Sequence, residues 1–216
     1  MNKQKGVTLT SLLIGLLIAM LCILAVLSLY RTVVHTGVDS RKAATHDTQL
    51  QSALTTVQML LQNAGFGLDP SGSHVNIGTI SFKNSSNVDV STTALVWKNA
   101  GSSDGTSITC HGIADIAGSG ERQLVLLSGS NCTSTSNLSA ASWTQESILA
   151  TLSDFSSDST NPVQVTFAKS NASCTPYGAG SVDTSVLHPN VTISATTSTK
   201  QTVNISVCLL NIVASS

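Results

Sequence analysis

From Val7 to Tyr30 the chain carries no charged residue, and most of that run is Leu, Ile, Val, Ala and Met. A helix over residues 12–30 alone would rise about 28 Å, close to the roughly 30 Å hydrocarbon thickness of a bilayer. One membrane-spanning helix is therefore expected at the N-terminus. A cleavable secretory signal fits poorly, because its apolar region runs only about 7–15 residues and closes in a small-residue site. Leu29-Tyr30-Arg31 is no such site. Lys3 and Lys5 precede the run, whereas Arg31 is the only strongly basic residue among the ten that follow it. That bias puts the N-terminus in the cytoplasm and the rest of the chain outside it.

Beyond the span, apolar residues thin out and then return with a helical period. Leu50, Ala53, Leu54, Val57, Leu60, Leu61 and Ala64 recur at steps of three and one, while Gln51, Ser52, Thr55, Thr56, Gln58 and Gln62 take the opposite face. This is the stripe of an amphipathic helix. No proline interrupts residues 7–64, so the span (7–30) and its amphipathic continuation (31–65) read as one helix. Gly65, Gly67 and Asp69-Pro70 end it, since glycine suits a helix C-terminus and proline cannot continue one.

Residues 66–216 change character, with Ser, Thr, Asn and Gly surrounding short β-branched runs. The runs 75–82, 93–98, 106–113, 123–128, 163–168, 191–196 and 203–213 have strand length and turn-forming flanks. Residues 143–155 read equally as a strand or as a short helix, because Ser142 and Gln145 stand at capping-box spacing. The expected fold class is α+β: a long N-terminal helix packed on a mainly antiparallel β-sheet head with long loops. Cys110, Cys132, Cys174 and Cys208 all fall in this part, an even number that fits two disulfides in an oxidising compartment. Four cysteines allow three connectivities, and chain proximity favours Cys110–Cys132 with Cys174–Cys208. Each bridge would remove unfolded-state entropy worth about 3 kcal/mol. That suits a head drawn from a chain with only 4% aromatic residues.

A short basic leader, Met1-Asn2-Lys3-Gln4-Lys5-Gly6, an uncharged Val7-Thr8-Leu9, a long helix and a β-rich disulfide-bearing head together resemble the type IV pilin and type II secretion pseudopilin class. The resemblance implies that an inner-membrane prepilin peptidase cuts after Gly6 and methylates Val7. It also implies partners: other pilin subunits, major and minor, meeting this chain through the helix after storage in the inner membrane. The helix end Leu60-Leu61-Gln62-Asn63-Ala64-Gly65-Phe66-Gly67 resembles the "AGF" stretch of PilW-like minor pilins. Two positions depart from the family. The first mature residue is usually phenylalanine and is Val7 here; the fifth is usually glutamate and is Ser11 here. A carboxylate within hydrocarbon is tolerable only when paired, and the family pairs it with a neighbour's N-terminal amine; serine bonds its own helix backbone and needs no partner. Gly15 and Ala19 form a small-xxx-small pair through which helices approach closely.

Elsewhere the sequence carries no catalytic chemistry. His35, His46, His74, His111 and His188 lack metal-ligand spacing, and Cys110-His111 beside Cys132 has no CxxC or HxxxH support for zinc. No G-x-S-x-G elbow occurs, and Gly118-Ser119-Gly120 and Gly178-Ala179-Gly180 lack the rest of a phosphate loop. Asp104 and Asp115 are a sparse calcium pair. Cys22 reads as a small apolar residue. No cofactor is expected, and no enzyme. Beyond residue 65 five Lys or Arg face nine Asp or Glu, so the bulk charge of a nucleic-acid binder is missing. The expected function is that of a minor pilin, priming assembly or sitting at the tip of an extracellular pilus. The alternatives are a minor pseudopilin of a type II secretion system and a membrane-tethered adhesin or binding domain that never assembles.

Overall fold

A computed structural model of the chain describes residues 9–102, 107–118, 121–153, 165–174 and 186–214. The chain divides into two units, residues up to Ala44 and from Thr45 onward. One helix, α1 (Leu9–Leu61), contributes to both.

In the first unit every described residue is exposed except Ala43, which is partly covered. The most apolar eighteen residues of α1 have a mean hydropathy of 3.0, and none of that stretch is buried, so the helix is a candidate membrane span.

In the second unit the stripe read from the sequence is buried. Leu50, Ala53, Leu54, Val57, Leu61 and Ala64 are all in the core, and His46 extends the row one turn toward the N-terminus. Leu60 is only partly covered. The amphipathic half of the helix thus packs from residue 46 on, and residues 31–44 present no buried face. The helix also stops at Leu61, four residues before the expected end, and continues as tight turns. Gly65 and Gly67 both take positive φ, at 77° and 71°, which is where a glycine is needed. A Cβ on Gly65 would lie 2.5 Å from Ile212 Cγ1, so this corner is closed on both sides. Asn211 Nδ2 donates to the Gln62 and Ala64 carbonyls, satisfying acceptors that the ending helix leaves over.

The head is mainly antiparallel, but it forms two sheets. Strands β1 (Val75–Lys83), β2 (Asp89–Ala100), β3 (Ile108–Ala117), β4 (Glu121–Ser130) and β5 (Ser142–Ser153) close into a barrel, and β6 (Thr166–Ala172), β7 (His188–Thr196) and β8 (Thr202–Cys208) make a separate three-stranded sheet. Closure rests on a short parallel pairing, Phe82 with Trp143 and Lys83 with Thr144. The segment that read as strand or helix is β5, a strand. Its pairing with β4 skips Glu146 and Leu149, so two bulges interrupt the alternation. The C-terminal run 203–213 is strand only to Cys208, after which a turn returns toward the helix end. The start of the run 163–168 lies partly outside the described residues.

Alternation along the strands builds two cores. Leu95, Trp97, Ile113, Leu124, Ala150 and Leu152 look outward from the barrel and meet the α1 stripe together with Val191, Ile193, Ala195 and Val207 of the second sheet. Ile80, Phe82, Ala94, Val96, Ala114, Val125, Leu127, Leu138 and Trp143 form the other core. A five-stranded barrel is narrow, and small residues make room for the indole: a Cβ on Gly129 would meet Trp143 and Cys110 at 3.0 and 2.9 Å.

Asp115 on β3 ties the barrel to the second sheet. Arg122 Nε donates to both its oxygens, at 2.9 and 2.8 Å, and the Val165 amide donates to Oδ2 at 2.6 Å, all in buried surroundings. Burial pushes the Asp115 carboxyl up, against the opposing bonds from Arg122 and Val165. Asp115→Ala leaves the Arg122 guanidinium buried and alone, which should cost about 3–5 kcal/mol in urea unfolding of the detergent-solubilised chain. Replacing both residues by apolar ones of similar volume should recover most of that loss.

Candidate functional site

Two regions carry the functional argument, the N-terminal part of α1 and one mouth of the barrel. On the helix, Ser11, Gly15 and Ala19 follow at steps of four and so share a face. All three are exposed, and nothing lies within 4 Å of the position a Cβ would take on Gly15. Cys22 is a free, exposed thiol on the same helix. Gly6 and Val7, the expected processing site, lie outside the described residues, as do Asp104 and Gly178-Ala179-Gly180.

The cysteine pairing favoured by chain proximity is the one found, Cys110–Cys132 and Cys174–Cys208. Cys110 is buried against the barrel core, and its bridge fixes the start of the loop that leads to β5. The His111 ring sits 6.1 Å from that of Trp97, tilted by 37°. Among the described residues no group of three or more His, Cys, Asp or Glu side chains is placed to hold a metal ion. Asp115, half of the sparse calcium pair, is committed to Arg122.

The mouth of the barrel holds what the sequence did not single out. Lys98 pairs with Cys110 across β2 and β3, and the residue is almost wholly buried, at 2% exposure. Its ammonium donates to three main-chain carbonyls of the disulfide-anchored loop: Ser134 at 2.7 Å, Ser136 at 2.9 Å and Thr133 at 3.4 Å. The far end of the same loop is held by Trp143 Nε1 donating to the Leu138 carbonyl at 2.9 Å. Burial lowers the Lys98 pKa. No ion pair to it occurs among the described residues. Beside it opens a cleft of about 890 Å³, walled by Asp69, Gly72, Ser73, His74 and Asn76 on one side and residues 134–139 on the other. The only sequence signal was parity: in TALVWK, Lys98 follows Ala94 and Val96 on the inward-facing side of the strand.

A second polar cluster joins α1 to the head. His46 Nε2 lies 3.1 Å from the Thr196 carbonyl, and the Gln49 side-chain oxygen accepts from the Thr151 amide at 3.1 Å. The Asp47 carboxylate accepts from the Ser198 amide at 2.8 Å and from its hydroxyl at 2.7 Å, gripping the β7–β8 turn. No known protein family, curated protein or solved structure matches the chain.

Burial would raise the Asp47 pKa, but the Ser198 bonds and the nearby His46 outweigh it, and the net shift is downward. A lowered carboxyl pKa stabilises the fold above the unfolded-state value and is lost as pH falls through the folded value. Asp47→Asn should therefore reduce the melting temperature at neutral pH, and the gap from the parent chain should close as pH drops below about 4. Thermal melts at several pH values read this directly.

Proposed function

We propose that this chain is a minor pilin, a structural subunit of a type IV pilus. In this reading a prepilin peptidase removes Met1 to Gly6 and methylates Val7. The apolar helix is then held in the inner membrane, head outside the cytoplasm, until it packs among the helices of major and minor subunits in an extracellular filament. The observation that carries the reading is the division of labour along α1. Its N-terminal stretch is apolar, uncharged and wholly exposed, while its C-terminal stretch is buried in a disulfide-bearing β head. The exposed stretch suits a bilayer first and neighbouring helices afterwards.

Ser11 narrows the position. If each incoming subunit matches its carboxylate to the N-terminal amine of the subunit above, only the topmost subunit has no amine to match. Loss of the carboxylate costs least there, so the chain is assigned to the tip, or to initiation of assembly. Ser11→Glu should then lower the number of filaments or move the subunit from its terminal position, as seen by immunogold labelling. Unchanged number and position would count against a tip role.

Mass spectrometry of the mature N-terminus tests the main reading. Methylated Val7, dependent on a prepilin peptidase, is the expected result. An intact Met1 would leave a tethered adhesin or binding domain in its place. Deletion phenotypes separate the pilus from a type II secretion pseudopilus: loss of twitching, adhesion or DNA uptake for the first, retention of an otherwise exported enzyme for the second.

A further inference from the structure

We infer that the barrel mouth beside Lys98 is a binding site for an acidic saccharide, whose carboxylate meets the Lys98 ammonium and whose hydroxyls meet the polar walls. The inference stands on the geometry of the head and is independent of filament assembly.

The charge comes first. A buried ammonium whose described partners are neutral carbonyls is partly solvated by their dipoles, yet its unit charge stays uncancelled by any described carboxylate. The three carbonyl bonds are unequal. That to Thr133, at 3.4 Å, is the longest, and its proton is the one a ligand oxygen can take over. A carboxylate arriving there gains a charge-assisted bond.

The walls then select against a bare anion. Asp69 lines the same cleft, and its carboxylate already accepts from the Ser71 amide and hydroxyl. It repels a second negative charge but accepts from a hydroxyl. Asn76, bonded through Nδ2 to Ser139, and the exposed Ser134 and Thr135 add amide and hydroxyl groups. One cation, one carboxylate and several uncharged polar groups lining the same cleft complement a molecule that carries both an acid and several hydroxyls.

The walls are also preformed. The 131–139 loop is bound by the Cys110–Cys132 bridge, by Lys98 and by Trp143, so little ordering remains to be done on binding. The volume, about 890 Å³, falls within the range of small-molecule sites, and barrel mouths are a recurrent place for them.

Calorimetric titration of the full chain in detergent micelles with glucuronate, glucose and acetate tests this. Glucuronate should bind saturably, with glucose and acetate each weaker by about tenfold or more, the range expected for losing a hydrogen bond to a charged group. Amide shifts in the parent chain should centre on His74, Asn76 and Thr135. Lys98→Met should abolish the preference for glucuronate over glucose. Because that change also releases three carbonyls, Ser134→Trp serves as the second variant: it fills the cleft from an exposed position and keeps the main-chain bond to Lys98. Loss of glucuronate binding in Ser134→Trp at an unchanged melting temperature supports the site. Absence of saturable glucuronate binding, equal affinity for glucose, shifts centred elsewhere, or full binding by a folded Ser134→Trp would overturn it.

Discussion

Burial of one helix face holds the head together. The row from His46 to Ala64 is the surface on which the outward face of the barrel and the inward face of the three-stranded sheet both close. Among the described residues no other apolar layer covers these two faces. Each fully buried Leu or Val in the row contributes roughly 1.5–3 kcal/mol of transfer free energy, so this seam outweighs any single polar contact in the molecule. The polar groups around it decide direction and register. His46, Asp47 and Gln49 engage three separate points of the head within four residues of helix, which fixes the helix against sliding in a way that a greasy stripe alone does not.

The same helix explains why the chain carries two kinds of apolar surface. Up to Tyr30 its side chains are mostly apolar, uncharged and exposed all round, a pattern suited to lipid or to packing among other helices. From His46 onward they are apolar on one side only. Between them, residues 31–44 are exposed except for the partly covered Ala43 and include the β-branched and glycine-containing run TVVHTGV, a weak helix former by composition. The two apolar parts of the helix are therefore separated by a stretch that contributes length and little packing.

Much of this was legible in the sequence because it depends on local period. The Leu50–Ala64 stripe repeats at helical spacing, and seven of the eight strands fall on the β-branched runs. The eighth, β5, was ambiguous for a physical reason. Ser142 and Gln145 at capping-box spacing imitate a helix start, and the extra residues Glu146 and Leu149 interrupt the alternation that would mark a strand. The closing of β1 on β5 was not legible, since it rests on one short parallel contact between segments some sixty residues apart. The disulfides followed from proximity along the chain. The Asp115–Arg122 pair did not, because seven residues across a hairpin carry no motif, and Asp115 alone looked like a sparse calcium ligand.

Lys98 was hidden for a further reason. Its partners are main-chain carbonyls, and carbonyls have no sequence signature. A lysine at an inward position of a strand must either be driven neutral or be given oxygen atoms, and the loop after Cys132 supplies the oxygens. Covalent and hydrogen-bond restraint then act on the same loop, the bridge at its start and the ammonium beneath it. A disulfide limits how far the loop can travel but leaves its backbone free to turn. Carbonyls converging on one nitrogen restrain that orientation as well, so the barrel mouth is shaped by Lys98 together with the bridge beside it.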